Sequence, residues 1–511
     1  MASSAKSIRP ESASRVLLAH FEAVVGSLAP PGVRVCVGLS GGLDSVVLLD
    51  LFCRLRNERG WRIEALHVHH GLSPNADRWV AFCQRLGRRR KVPVQVVRVD
   101  LSALAHLGLE AAARERRYEA YAQSGAGCVA LAHHADDQAE TVLLQLLRGS
   151  GVAGLAAMPL ARPLVRPLVR PLAAPMTQPL STDDGPDLGP DVGPPPGLTD
   201  GTAQMLIRPL LGCRRAIIAA YARSRRLAWI EDESNQDVSR VRNALRHDIL
   251  PRLARIQPAV IENINRSARH LGSALMVLDE AARIDLAMAA DTSAWPGVPS
   301  AGIVPALDCN ALRVMGEARA IRAIGAWLGV HGIQAPSTAR FRQIWRQATT
   351  ARPDAQVAIA IGGAVLRRYR GALHLEHRCD DGGASGAQSE PVIWDGRSEW
   401  RLEALAGVVR FVPTLGAGLA ERGLRHPGRL SAIARPAERF RRTGDSHHRS
   451  LKVLFQEAGI PAWARARLPC LAIDGVLAWV AGLGVASQFA AGASEPGLVP
   501  HWHPDRPPGP P

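Results

Sequence analysis

Between Val33 and about Gly154 short apolar runs alternate with helical patterns, and no other feature restricts the fold of this chain so strongly. VRVCVGLS (33–40) reads as a buried strand, and SVVLLDLFCRLRNE (45–58) as a helix with its apolar side turned inward. Strands at 63–70, 92–99 and 128–134 then alternate with helices at 76–89, about 109–124 and 136–148. Parallel strands need long crossovers, and helices that supply them cover both faces of the sheet. The expected fold class is α/β, beginning with a parallel-sheet domain.

At 511 residues the chain exceeds what one core serves efficiently. The pattern breaks at 161–203, where RPLVRPLVRPL precedes the acidic, proline-rich STDDGPDLGPDVGPPPGLTD. Proline removes backbone donors, and this stretch has little apolar area to offset ordering entropy. It is expected to be a disordered surface insertion, with a partner-binding arm as the other reading. Folded sequence resumes at MLIRPLLG (205–212) with an amphipathic helix after it. We place a first domain at 25–228, a helical middle domain at 229–348, a connecting region of short strands at 349–430 and a small α+β C-terminal domain at 431–490. The tail beyond Glu495, ending HWHPDRPPGPP, is too proline-rich to join a core.

The 62 Lys and Arg residues outnumber 46 Asp and Glu, for a net charge of +16. Such an excess suits a polyanionic partner. Only three of the basic residues are lysines (Lys6, Lys91 and Lys452), so part of the excess is a compositional habit. The eight cysteines stand singly and form no CxxC pair, which argues against a zinc knuckle, an iron–sulfur site or a disulfide framework. No apolar run reaches 18 residues without a charge or a breaker, and the N-terminus lacks a hydrophobic signal core. The expectation is a cytoplasmic protein with no membrane partner.

The sharpest motif is Ser40-Gly41-Gly42-Leu43-Asp44-Ser45, where the first strand gives way to a helix. Adjacent glycines let successive N–H groups converge on an anion, the two serines add hydroxyl donors, and the helix N-terminus adds its dipole. A carboxylate beside phosphates is unfavourable without a cation between them, so Asp44 is assigned to Mg2+. A plain glycine turn capping a helix is the competing reading. The loop is neither GK[ST] nor GxGxxG. It resembles the pyrophosphate-binding (PP) loop of the N-type ATP pyrophosphatases, and that resemblance implies attack at the α-phosphate of ATP with pyrophosphate leaving into the loop.

Later motifs narrow the resemblance. His67-Val68-His69-His70-Gly71-Leu72 ends the second strand, where residues face the ligand crevice of an open sheet. His69 and His70 either approach the nucleotide or cap the strand. The run resembles the HVNHGL segment of the tRNA(Ile)-lysidine synthases, with Ser73 where an arginine commonly follows in that family. EAAARERRY (110–118) places Glu110, Arg114 and Tyr118 on one helical face and resembles the family's EAxARxxRY helix. HHADDQAET (133–141) crowds carboxylates that need a cationic partner. Within it Asp137 and Glu140 serve one site, and Asp136 is either catalytic or a helix cap. Arg208 stands in RPLL; EDESN (231–235) follows, then RNALR (242–246), whose Arg242 and Arg246 share a helical face suited to RNA phosphates. Arg441, Arg442, Arg449 and Lys452 open the distal unit, whose LKVLFQEAGIPAW and LAWVAGLG resemble the C-terminal domain of the longer lysidine synthases.

What the resemblance implies is an enzyme with a PP-loop ATP pyrophosphatase domain. It takes ATP, Mg2+, L-lysine and tRNA(Ile) bearing a CAU anticodon, and links lysine to C2 of cytidine 34 through an adenylated base. The implied catalytic residues are Asp44, Arg114, Asp137 and Arg208. Ser40 to Ser45, His69 and His133 hold nucleotide, and Asp44 and Asp136 hold the metal. Glu140, Arg242, Arg246, Arg441, Arg442, Arg449 and Lys452 are the expected substrate contacts. A homodimer is left open. The nearest alternative is a tRNA 2-thiolase with the same adenylation chemistry, which the scattered cysteines disfavour.

Overall fold

A computed structural model of the chain describes residues 10–71, 73–100, 109–164, 204–231, 241–291, 306–352, 355, 357–377, 392–405, 407–424, 430–433, 439–465 and 468–504. The chain divides between Leu278 and Asp279 into two compact units.

The first unit is built on β1 (Arg34–Gly38), β2 (Arg62–His69), β3 (Val94–Arg98), β4 (Cys128–Ala130), β5 (Ala161–Pro163) and β6 (Met205–Ile207), in the order β3-β2-β1-β4-β6-β5. All neighbours are parallel except the edge strand β5, which runs antiparallel to β6. The crossovers are α2 (Leu43–Arg59), α3 (Ala76–Arg90), α4 (Leu109–Gln123), α5 (Ala135–Leu147) and the short α6 (Val152–Leu155), with α7 (Arg215–Ser224) after β6. Side chains alternate across a strand. Val35 and Val37 of β1 therefore pack on one face with Val46, Leu49 and Phe52 of α2 and Ile218 of α7. Cys36 points the other way, to Leu66, Val129, Leu206 and Tyr121 of α4.

Two features depart from the sequence expectations. A helix, α1 (Pro10–Leu28), precedes the sheet; its Leu17, Phe21 and Val25 complete the first face, and Phe21 meets Phe52 edge-on at 5.0 Å. The supposed insertion begins later than expected, because Ala161–Pro163 pairs with Met205–Ile207 and orders its first residues. The rest, 165–203, lies outside the described residues. After α7 come α8 (Val241–Ala244), a π-turn at Leu245–Ile249, α9 (Leu250–Ile256) and α10 (Val260–Ala289).

In the second unit, helices Cys309–Val314, Glu317–Val330 and Thr338–Thr350 share a core with the strands Ala306–Asp308, Ala358–Ile361, Ala364–Tyr369 and Ala372–His377. A separate core gathers two sheets between Val392 and Pro504 around Trp400, Phe411, Leu454, Trp479 and Trp502. Pro496–Pro504 is a strand paired along Gly407–Leu415, and Trp502 is only 1% exposed, so the tail as far as Pro504 joins a core; residues 505–511 lie outside the described residues. Pro496, Pro500 and Pro504 recur at even spacing, which puts all the missing donors on one edge of the strand. The odd-numbered N–H groups remain for the ladder. No helix among the described residues is long and apolar enough to cross a membrane.

Candidate active site

The phosphate loop leaves β1 and starts α2. Gly41 has φ +89°, a conformation that side chains resist, and a Cβ there would stand 3.1 Å from Ile230 and 3.2 Å from the Cys83 sulfur. Ser40 and Ser45 bring their hydroxyls to 3.1 Å, Gly42 N–H donates to Ser40 Oγ, and Ser45 Oγ donates to the Gly42 carbonyl at 2.9 Å. Gly42 caps α2 with no side chain across the first turn, so the early N–H groups of Leu43 and its neighbours stay open to an anion. From beneath, the buried His67 donates from Nδ1 to the Leu39 carbonyl at 2.8 Å and steadies the strand end.

Asp44 faces the residues after β4. His134 caps α5: its Nδ1 accepts from the Asp137 N–H, while Asp137 Oδ2 accepts from the His134 N–H, a reciprocal capping box. An accepting Nδ1 carries no proton, so the proton sits on Nε2, 3.7 Å from Asp44 Oδ2. Arg215 Nε lies 3.9 Å from the same oxygen. Burial raises the Asp44 carboxyl above the ordinary range, and His134 and Arg215 only partly offset it. Its Oδ1 is buried with no hydrogen-bond partner. A hard oxygen left unpaired beside an anion slot fits a divalent cation.

Asp136, the other expected metal ligand, is committed elsewhere. Its Oδ2 accepts from the backbone N–H of Arg215 at 2.8 Å, with Arg214 Nε at 3.4 Å, so it caps α7 across space. Helix α7 has no side-chain cap of its own. Arg242 and Arg246, expected to grip RNA phosphates, turn inward instead. Arg246 reaches Glu140 at 2.5 Å and Asp137 at 3.0 Å; Arg242 reaches Glu140 at 3.3 Å and donates to Thr141 Oγ1. The cause is Glu140, 1% exposed, whose carboxylate needs cations; even so, burial leaves it raised. Asp137 is lowered: burial pushes it up, but His134, His133 and Arg246 outweigh that push.

Burial drops His133 to about 3, and its Nδ1 has no partner. Arg208 is 2% exposed and donates from Nη1 to the Pro159 carbonyl at 2.7 Å. Arg114 is exposed and donates to Tyr118 Oη at 3.2 Å. His69 sits between Arg98 and Asp77, at 3.4 and 3.5 Å, and His70 meets Arg117 at 3.3 Å, so both cluster at the end of β2 rather than on the phosphate loop. Ser73 accepts from the Asn75 N–H. The Glu110 side chain and Asp232 to Asn235 lie outside the described residues.

In the second unit Arg442 and Arg449 converge on Asp445 and Glu457, and Arg441 donates to Ser487 Oγ at 2.7 Å. The basic entrance is thus a cross-linked network, with Lys452 exposed beside it.

The chain matches the PP-loop domain family over residues 16–182 and 198–253. It also matches the TilS substrate binding domain over 307–374 and the TilS substrate C-terminal domain over 430–502. A protein of Nitrosomonas europaea named tRNA(Ile)-lysidine synthase is 34% identical over 93% of each chain. Its namesake in Aromatoleum aromaticum is 36% identical over 94% of this chain and 99% of its own, and that of Methylococcus capsulatus 37% over 93% and 97%. The chain belongs to the tRNA(Ile)-lysidine synthase family.

For a lysidine synthase chain, sequence reading missed three of the residues that surround the site. His134 was overshadowed by His133, yet it holds the capping box and faces Asp44. Arg215 shows in the sequence only as one residue of an amphipathic helix, yet its Nε lies 3.9 Å from Asp44. Arg162, lying over the Tyr118 ring, sits in the first RPL repeat, where the proline-rich composition hid it.

Proposed function

We propose that this chain joins free L-lysine to C2 of cytidine 34 in the CAU anticodon of tRNA(Ile), with ATP cleaved to AMP and pyrophosphate. The reading rests above all on one observation: the open phosphate loop ends on Asp44, whose Oδ2 stands 3.7 Å from His134 of the His134–Asp137 capping box while its buried Oδ1 is left unpaired. A module that only binds RNA has no need of that arrangement. Asp44 is the residue that would hold Mg2+, which would draw charge from the phosphates.

Ser40 to Ser45 hold the β- and γ-phosphates, and His133, neutral throughout the physiological range, contacts the nucleotide as a hydrogen-bonding group. O2 of cytidine 34 attacks the α-phosphate, and Arg114 offsets the charge that develops there. The ε-amine of lysine then attacks C2 and displaces AMP. It must first lose a proton, and Asp137 both binds the ammonium and takes that proton. Arg208, locked to the Pro159 carbonyl, supports the site. Glu140 keeps Arg242 and Arg246 in place, so Arg246 acts by holding Asp137, and Arg242 by holding Glu140 and Thr141, instead of gripping tRNA. The tRNA is held by residues 229–348 and by the C-terminal core, where Arg441, Arg442, Arg449 and Lys452 meet phosphate. That core takes in 392–424 and 496–504 as well as 431–490.

A sulfur-transferring thiolase is not favoured, since burial pushes Cys36, Cys83, Cys128 and Cys213 up to about 12 and keeps them as inert thiols. The deciding assay combines the purified chain, a CAU-bearing tRNA(Ile) transcript, ATP, Mg2+ and radiolabelled lysine. Pyrophosphate release with one lysine retained per tRNA is expected; release without lysine retention would overturn the reading.

A further inference from the structure

Helices α2 and α7 pack on the same face of the sheet, where Val46, Leu49 and Phe52 of α2 share one apolar core with Ile218 and Ala222 of α7. Apolar contact has no direction, so by itself it fixes the slide of one helix along the other only weakly. One buried polar pair interrupts it. Tyr221 Oη donates to Asp50 Oδ2 at 2.7 Å, with Tyr221 fully buried and Asp50 1% exposed. Arg90, at the end of α3, brings Nη1 to 2.7 Å from Asp50 Oδ1, and Arg225 Nε stands 3.9 Å from Oδ2. Arg54 donates to Tyr221 Oη at 3.4 Å. A carboxylate is costly to bury, and two apolar side chains would fill the same place at less cost. The best-attested return from such a pair is registry.

The register matters at the other end of the two helices. Asp50 stands six residues after Asp44, and Tyr221 six residues after Arg215. Arg215 Nε lies 3.9 Å from Asp44 Oδ2, so the two pairs are rungs of one parallel helix pair, about 9 Å apart along it. Asp136 pins the first N–H of α7, but a single point leaves a helix free to swing. A second point, nearly two turns on, fixes its line.

We propose that Asp50 and Tyr221 are positioning residues that set α7 along α2 and so hold Arg215 against the pyrophosphate leaving into the phosphate loop. The inference rests on the ATP-cleavage reading above. Arg215 suits that contact. Asp44 lies in the first turn of α2, whose N–H groups are open, so a guanidinium beside it borders the anion slot. The Arg215 side chain is half exposed and meets no nearer carboxylate among the described residues, which leaves its donors to phosphate oxygens. A slide of one residue along α2 would carry it about 1.5 Å out of place.

The test measures tRNA-dependent pyrophosphate release, and the Kd of inorganic pyrophosphate, on the full chain with Mg2+. Arg215→Ala is expected to cut kcat about ten- to a hundredfold and weaken pyrophosphate binding about tenfold, with AMP binding unmoved. Tyr221→Phe keeps the buried ring and loses only the hydroxyl; it should cut kcat about tenfold. In the Arg215→Ala background the same change should cost less than about twofold, because the arginine it positions is gone. Ile218→Val, which loosens the same helix without touching a polar bond, should lower Tm and leave kcat in place. A Tyr221→Phe loss of equal size in both backgrounds overturns the proposal. So does a loss that Ile218→Val reproduces, or an Arg215→Ala chain that binds pyrophosphate as the wild type does or loses AMP equally. A wild type that releases no pyrophosphate is a different failure: it removes the ATP-cleavage reading itself.

Discussion

Asp44 is under opposed demands at the scale of a single side chain. Its raised carboxyl means that the ionised form is penalised in the folded chain, chiefly by burial, and catalysis needs that ionised form. A group whose folded value is raised stabilises the fold below its unfolded value and costs stability once it ionises. Asp44→Asn is therefore expected to raise Tm by a few degrees at neutral pH, with the gain shrinking toward pH 4, while pyrophosphate release falls at least about a thousandfold. Mg2+ should raise Tm of the wild type and leave the variant unmoved; an equal response in both would remove the metal role. Arg246 makes the converse case. Arg246→Ala leaves Glu140, 1% exposed, with Arg242 as its remaining cation, and should cost about 3 kcal/mol in chemical denaturation. Arg246→Lys should recover part of it. No loss in Arg246→Ala would mean that the pair contributes nothing to holding Asp137.

Elements show why some of the site was legible and some was not. SGGLDS and HHADDQAET are contiguous, so their chemistry and their place at strand ends could be read together, and both stand where the βαβ pattern puts them. Asp136 is different. Its partner is the N-terminus of α7, 79 positions away, and no local pattern announces a cap supplied across space. The inward turn of Arg242 and Arg246 depends on the burial of Glu140, which is likewise a tertiary fact. Proline content misleads twice, at Ala161–Pro163 and at Pro496–Pro504, because the position of each proline in the ladder, not their number, decides whether a strand forms. Ala161–Pro163 is an edge strand, and in Pro496–Pro504, which lies between Gly407–Leu415 and Leu419–Ala420, the even spacing keeps the missing donors to one side. The tail strand gives a direct test: Trp502→Ala should cost about 3–5 kcal/mol in the second unit, since it removes a side chain 1% exposed in that core. Deletion from Pro496 onward should cost more. A Tm unchanged by either would return the tail to the role its composition suggests.

For the molecule as a whole, acid should act first on the unit that carries the site. Burial there brings His133 down to about 3 and His70 to about 4, with Arg117 adding to the second, and His67 and His20 are lowered too. A lowered histidine contributes nothing to the pH dependence above its unfolded value of 6.5, because it is neutral in both states. Below 6.5 the unfolded chain binds the proton and the folded chain does not, so stability falls as pH drops from 6.5 toward the folded value. At pH 5 the loss is about 2 kcal/mol for His133 and less for the half-buried His70, where solvent screens the effect. Asp44 and Glu140 are raised and work in the opposite sense, but their relief comes as they protonate. Calorimetry from pH 7.5 to 5 should show the transition of the first unit falling by several degrees or more. The transition of the second unit should move less, since among the described residues its one lowered histidine, His503, is only partly buried. ATP and Mg2+ should narrow the gap by binding the folded first unit. His133→Gln should flatten the slope by close to one proton without abolishing it. A first transition that keeps its temperature down to pH 5, or a variant with the wild-type slope, would mean that His133 is protonated in the folded chain. The neutral, nucleotide-side role assigned to it would then fail.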